Sequence, residues 1–221
     1  MKKTLLLLCA LVCVSSLQAQ MMVPKVAFGV TGGLAIPTGD FASTSSAEAG
    51  GATTGFGLGA NVTIPVVPTL SVVGSFSFVS NGVSEELVKS LSGTSSYSGD
   101  VGSWTTLWPM AGLRYSTGVG PVVGIFLTAQ GGLLLGTTPE VDVTSGGTRY
   151  RSKSFSSSAF AYGFGGGIMI ADRFTVELRL LGGQPEYDFE FQASGSGFSS
   201  TFSGKTDQPT AIIQLNAGVT F

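Results

Sequence analysis

Apolar and polar side chains alternate along most of this chain. Counting back from Phe221, apolar residues fall at Val219, Ala217, Leu215 and Ile213, with Thr220, Gly218, Asn216, Gln214 and Ile212 between them. A period of two predicts a β-strand with one apolar face. The pattern recurs from end to end. Phe28, Val30, Leu34 and Ile36 alternate with Gly29, Thr31, Gly33 and Ala35; Phe56, Leu58, Ala60 and Val62 alternate with Gly57, Gly59 and Asn61. Val72, Phe76 and Phe78 alternate with Val73, Ser75 and Ser77, and Leu107, Ala111, Leu113 and Tyr115 with Trp108, Met110, Gly112 and Arg114. Pro109 interrupts this fourth segment and predicts a local irregularity. Ile125, Leu127 and Ala129 alternate with Phe126, Thr128 and Gln130; Phe160, Tyr162 and Phe164 with Ala161 and Gly163; Val176, Leu178 and Leu180 with Glu177 and Arg179. The total is about eight strands, all of one amphipathic type.

The connections follow a second pattern. Residues 65–69, 116–121 and 171–173 are short links, whereas 37–54, 80–102, 137–157 and 182–208 are long and rich in Ser, Gly and charge. Short and long alternate strictly. An up-and-down barrel with tight turns at one end and long loops at the other produces this order, and a sandwich with crossings between sheets does not.

Only 11% of the residues are charged and the mean hydropathy is +0.39. Soluble domains average about 25% charged, so a solvent other than water must cover part of the surface. No internal segment is long and apolar enough for a spanning helix. Residues 1–19 read as a cleaved secretory signal peptide, with Lys2 and Lys3 before a short apolar run and small residues up to Ala19. Both cysteines, Cys9 and Cys13, lie in that segment, so the domain expected over residues 20–221 carries no disulfide. Without Lys2 and Lys3, 9 of the 11 basic residues remain against 13 acidic ones, a net charge of −4. No basic run could track a phosphate backbone, which argues against a nucleic-acid partner.

These features predict an all-β, antiparallel, up-and-down transmembrane β-barrel. In hydrocarbon every backbone amide needs a partner, so an open sheet edge is excluded and a closed barrel is allowed. The apolar side then faces lipid, and the inward positions, many of them Gly, Ala, Ser or Thr, need no apolar interior. The chain resembles the small outer-membrane β-barrel family typified by the OmpA transmembrane domain and OmpX. The resemblance covers residues 25–221 and rests on the strand pattern, the loop asymmetry and the final Leu215-Asn216-Ala217-Gly218-Val219-Thr220-Phe221. It implies a bacterial outer-membrane location and recognition of Phe221 by the barrel-assembly machinery. Because the sequence stops at Phe221, no periplasmic peptidoglycan-binding domain is expected after the barrel.

Catalytic chemistry is sparse. The chain has no histidine, which removes Ser-His-Asp hydrolysis, His-based acid–base catalysis and ordinary zinc sites. No catalytic site, metal or cofactor is expected, and an outer-membrane lipid hydrolase or protease stands only as a distant option. Inside the barrel the alternation gathers polar groups: Arg114, Glu177 and Arg179 with Asn61, Gln130, Gln214 and Asn216. A charge in so narrow a space must be paired, which predicts a cluster around Glu177 with Arg114 and Arg179 as partners. About eight strands leave room only for side chains or one small ligand, so a plugged lumen is expected, with a small porin-like channel for small solutes as the alternative. Outside, Val141-Asp142-Val143 and Thr148-Arg149-Tyr150-Arg151 flank Ser145-Gly146-Gly147 as a hairpin. Arg149, Arg151 and Lys153 are the candidates for contact with anionic lipopolysaccharide. Residues 84–93 read as a short capped helix whose Leu87, Val88 and Leu91 could dock on the barrel mouth. The expected role is structural or surface-interacting, in a monomer surrounded by outer-membrane lipid; a secreted soluble lipid-binding barrel is the structural rival.

Overall fold

The computed structural model describes residues 25–45, 48–92, 97–119 and 122–221, with the side chains of 90–92 outside that description. The expected signal peptide over residues 1–19 lies outside the described residues. Eight strands close into an antiparallel barrel: β1 (Ala27–Thr38), β2 (Gly55–Val67), β3 (Leu70–Asn81), β5 (Trp104–Gly118), β6 (Val123–Thr137), β9 (Ser156–Ile170), β10 (Phe174–Gly183) and β13 (Thr210–Thr220). Each strand pairs with its sequence neighbours in the barrel, and β1 pairs with β13 from Gly29↔Thr220 to Thr38↔Ala211, so no edge is left.

The apolar faces point away from the protein. Phe28, Leu34, Leu58, Leu127, Phe160 and Leu178 are all exposed, Leu178 by 56% at the middle of β10. No protein layer covers them, so the Phe56/Leu58/Val62 side of the wall is the lipid-facing surface. No helix among the described residues is long and apolar enough to cross a membrane; the crossing elements are the strands. Pro109 disturbs the wall less than expected. The β5–β6 ladder lacks partners at Trp108 and Pro109, yet Leu107↔Leu135 and Met110↔Gly132 keep one register, and Pro109 stays opposite Phe76 on β3. The irregularity appears instead between Pro65 and Val67 at the foot of β2.

At the short-link end, Ala171 and Asp172 both take positive φ, 52° and 54°, at the centre of the three-residue turn 171–173 between β9 and β10, closed by the Arg173 amide donating to the Ile170 carbonyl. The long connections gather into a second sheet above the barrel. Its order is β12-β11-β8-β7-β4, formed by β4 (Ser98–Val101), β7 (Val141–Ser145), β8 (Thr148–Ser152), β11 (Glu186–Gly195) and β12 (Phe198–Asp207). The expected β7–β8 hairpin turns at Gly146 and Gly147, whose φ values of 56° and 79° suit glycine. Its joining to β11, from Phe191↔Ser152 to Ser194↔Arg149, was not readable locally. The expected helix forms as α1 (Glu85–Ser92), with the Glu86 amide donating to Ser84 Oγ at 3.3 Å. Leu87 and the buried Val88 face the barrel mouth, and the side chain of Leu91 lies outside the described residues.

Candidate functional site

The inner wall carries two layers of different chemistry. The lower, nearer the short turns, is polar. Glu177 and Arg179 stand two residues apart on β10, with Arg179 Nε 3.7 Å from Glu177 Oε1 and both side chains over nine-tenths buried. Arg179 also donates from Nη2 to Gln130 Oε1 at 2.6 Å and to Ser75 Oγ at 3.3 Å, and from Nη1 to Ser77 Oγ at 3.2 Å. Gln130 Nε2 donates to Ser75 Oγ at 3.0 Å. One guanidinium thus ties β10 to β3 and β6 across the lumen. Gly165 on the adjoining strand makes room for it, because a Cβ there would sit 2.8 Å from Arg179 Cγ and 3.1 Å from Glu177 Oε1.

The other inward polar residues spread around this pair. Asn216 lies opposite Glu177 and Gln214 opposite Arg179 on β13, with Asn216 Nδ2 3.4 Å from Gln214 Oε1. Asn61 sits half-buried on β2, in register with Gly29 and Ser75. Arg114 makes no ion pair with Glu177 within 4.0 Å among the described residues, although the two charges still interact at longer range. Its Nε donates to Thr128 Oγ1 at 3.2 Å, and its guanidinium carbon lies 4.4 Å from the centre of the Phe126 ring. Arg114 is opposite Thr128 on β6, so the nearest partners are a hydroxyl and an aromatic face.

The upper layer corrects the expectation that the interior needs no apolar filling. Trp108, Leu134, Leu181 and Ile212 are fully buried, Met110 is nearly so, and all five point inward from the long-loop ends of their strands. Phe41, from the turn after β1, and Tyr187, from β11, descend onto Trp104 in edge-on contacts at 5.3 and 5.9 Å. Ser75, Ser77 and Thr128 complete the lower layer. Their inward facing follows from alternation, but the role of Ser75 and Ser77 as partners of Arg179 depends on strands that meet only across the closed lumen.

Above the rim the charges are paired at the surface. Arg149 holds Asp142 with two hydrogen bonds, Nε to Oδ1 at 2.8 Å and Nη2 to Oδ2 at 2.6 Å. Arg151 stands 3.7 Å from Asp142 and 4.0 Å from Glu140, and Lys153 is 3.3 Å from Glu190. The hydrogen bonds from Arg149 hold the Asp142 carboxyl below its ordinary value, and the same bonds raise the Arg149 guanidinium. Lys205 is raised by its bond to Glu186. Burial raises the Tyr187 phenol, whose hydroxyl has no hydrogen-bond partner among the described residues.

A closed, lipid-facing barrel of eight strands with its long loops at one end defines an integral protein of the bacterial outer membrane. The chain matches the outer membrane protein beta-barrel domain over residues 6–221 and belongs to that family. No curated protein matches it. Among solved structures, it is similar to the outer membrane protein OprG from Pseudomonas aeruginosa at 15% identity, covering 90% of this chain and 97% of that one with a TM-score of 0.47. It is similar to Ail, the attachment invasion locus protein of Yersinia pestis, at 16% identity, over 90% and 100% of the two chains with a TM-score of 0.48. A major outer membrane protein from Thermus thermophilus matches at 15% identity, over 89% and 100%, with a TM-score of 0.48.

Proposed function

We propose that this barrel is a closed platform that holds a recognition sheet outside the outer membrane and does not conduct through its lumen. The observation that carries the reading is the two-layer filling: the Arg179 network below, and Trp108, Met110, Leu134 and Leu181 above it. A polar network alone could open by rearranging around water. An apolar layer stacked on it leaves no continuous wet path. Surface interaction then falls to the five-stranded sheet, whose edge strand β12 carries the exposed Phe198 and Phe202.

Contact with lipopolysaccharide through Arg149, Arg151 and Lys153 belongs to the same proposal. Those groups already hold Asp142, Glu140 and Glu190, but the three cations are each about half exposed, and water weakens such pairs enough for phosphate to compete. The protein is proposed to act as a monomer. Single-channel recording of the wild-type barrel in planar bilayers tests the closed-platform reading. A flat trace is expected; reproducible steps of conductance would favour the porin-like alternative.

A further inference from the structure

Between the barrel mouth and the outer sheet lies a cavity of about 340 Å³. Its floor includes Trp104 and Tyr187, one side is formed by Leu87 and Val88 of α1, and Val143 and Phe189 come from the sheet. Seven separate stretches of chain build it, and none of them could form it alone. The frame is anchored from below, because Tyr187 on β11 rests edge-on against Trp104, and Trp104 against Phe41.

Several polar groups on the wall are already engaged within the protein, whereas the hydroxyl of Tyr187, buried away from solvent, has no partner among the described residues. Trp104 Nε1 donates to the Gly50 carbonyl at 2.9 Å. Gln208 Nε2 donates to the Glu48 carbonyl at 3.0 Å, and Thr138 Oγ1 accepts the Phe155 amide at 2.9 Å. Asp188 is the one charged residue among the described lining residues, and its side chain is exposed. The strand alternation turns it away from its neighbours Tyr187 and Phe189. A charged guest would find no counter-ion here and would lose its hydration on entering. Water fares little better, since a site holds water well only when it offers two to four polar partners.

We infer that this chamber is a binding site for one uncharged, apolar small molecule, taken up from the outer face. The size sets the class. An apolar cavity of about 150 Å³ accommodates a single benzene ring, so this one suits about twice that bulk: a fused bicyclic hydrocarbon or an alkyl chain of about eleven carbons. The Phe41–Trp104–Tyr187 ring contacts brace its floor, and an apolar chamber held in shape is relieved by an apolar guest. The site stands above the filled lumen and does not depend on whether the lumen conducts.

Trp104 makes the inference measurable. The chain has two tryptophans, so Trp108→Phe leaves Trp104 as the single reporter. The full chain, reconstituted in lipid nanodiscs and checked for heat-modifiable migration, is titrated with ω-bromoundecanol, whose bromine quenches indole on contact. Saturable quenching at one equivalent is expected, with half-saturation shifted by about tenfold or more in Val143→Phe and in Leu87→Phe, which fill the chamber from opposite sides. The carboxylate analogue, ω-bromoundecanoate, is expected to bind at least about tenfold more weakly. Quenching that rises linearly with probe and is identical in the filled variants means bilayer partitioning and overturns the inference. Equal binding of the carboxylate overturns it too. If one filled variant fails to fold, the saturability of the parent and the second variant still decide.

Discussion

Removing the carboxylate of Glu177 tests the logic of the lower layer most directly. In Glu177→Ala the Arg179 guanidinium keeps Gln130, Ser75 and Ser77 as neutral acceptors but loses the anion 3.7 Å away. At an effective dielectric constant near 20, two unit charges at that separation attract by about 4 kcal/mol. Breaking a buried pair on one side characteristically costs about 3–5 kcal/mol, because the remaining charge stays buried and uncompensated. Both routes give a loss of about 4 kcal/mol. Replacing the pair together, Glu177→Leu with Arg179→Met, removes the orphaned charge along with the attraction, so the double variant should lose far less than the single one. Urea unfolding of the barrel in lipid vesicles, read by heat-modifiable migration, measures all three proteins. On the closed-platform proposal, planar-bilayer recording of the same samples should stay silent, because Trp108, Met110, Leu134 and Leu181 still pack together in the upper lumen. A single variant within about 0.5 kcal/mol of wild type would refute the pairing argument. Channels opening in Glu177→Ala would refute the claim that the apolar layer seals the bore.

Four further outcomes are expected. Leu178→Arg, at the middle of the lipid-facing side of β10, should cost about 2–4 kcal/mol in vesicle unfolding, and an unchanged midpoint would mean that this face does not sit in hydrocarbon. Tyr187→Phe removes a buried hydroxyl that lacks a partner among the described residues and should stabilise the barrel by about 1 kcal/mol. Gly136→Ala, whose Cβ would collide with that hydroxyl, should cost about 1–3 kcal/mol and less in the Tyr187→Phe background; the same cost in both backgrounds would remove the hydroxyl as the cause. The β7–β8 hairpin should loosen in acid. Asp142 has a depressed carboxyl in the folded state through its bonds from Arg149, so its contribution is complete above the unfolded value of about 3.9 and fades as pH falls through the lower folded value. Hydrogen exchange of the hairpin amides should show this acid-dependent opening, and Asp142→Asn should abolish it; an identical pH profile in the variant would contradict the assignment.

The sequence by itself determined the wall. Alternation with a period of two says which side of each strand is apolar, and in this chain it does so eight times, so Leu58, Leu127, Leu178 and Leu215 all emerge on the lipid side. The alternating lengths of the links put the long loops at one end without any tertiary information. The Gly146-Gly147 turn was equally local, since two successive positive φ angles suit glycine. What alternation cannot supply is the height of a side chain in the bore or the identity of its neighbours across it. Alternation places Trp108 inward, but its meeting with Leu134 and Leu181 in one apolar layer follows from the tilt and stagger of closure. Arg114 shows the same limit, because its inward direction was legible while its choice of Thr128 and Phe126 over Glu177 depended on the register of β5 with β6. The outer sheet was least legible. It joins strands from three loops, and the pairing of β8 with β11 links residues about forty positions apart. Backbone hydrogen bonding at that range carries no local sequence signature, so only the folded chain brings those edges together.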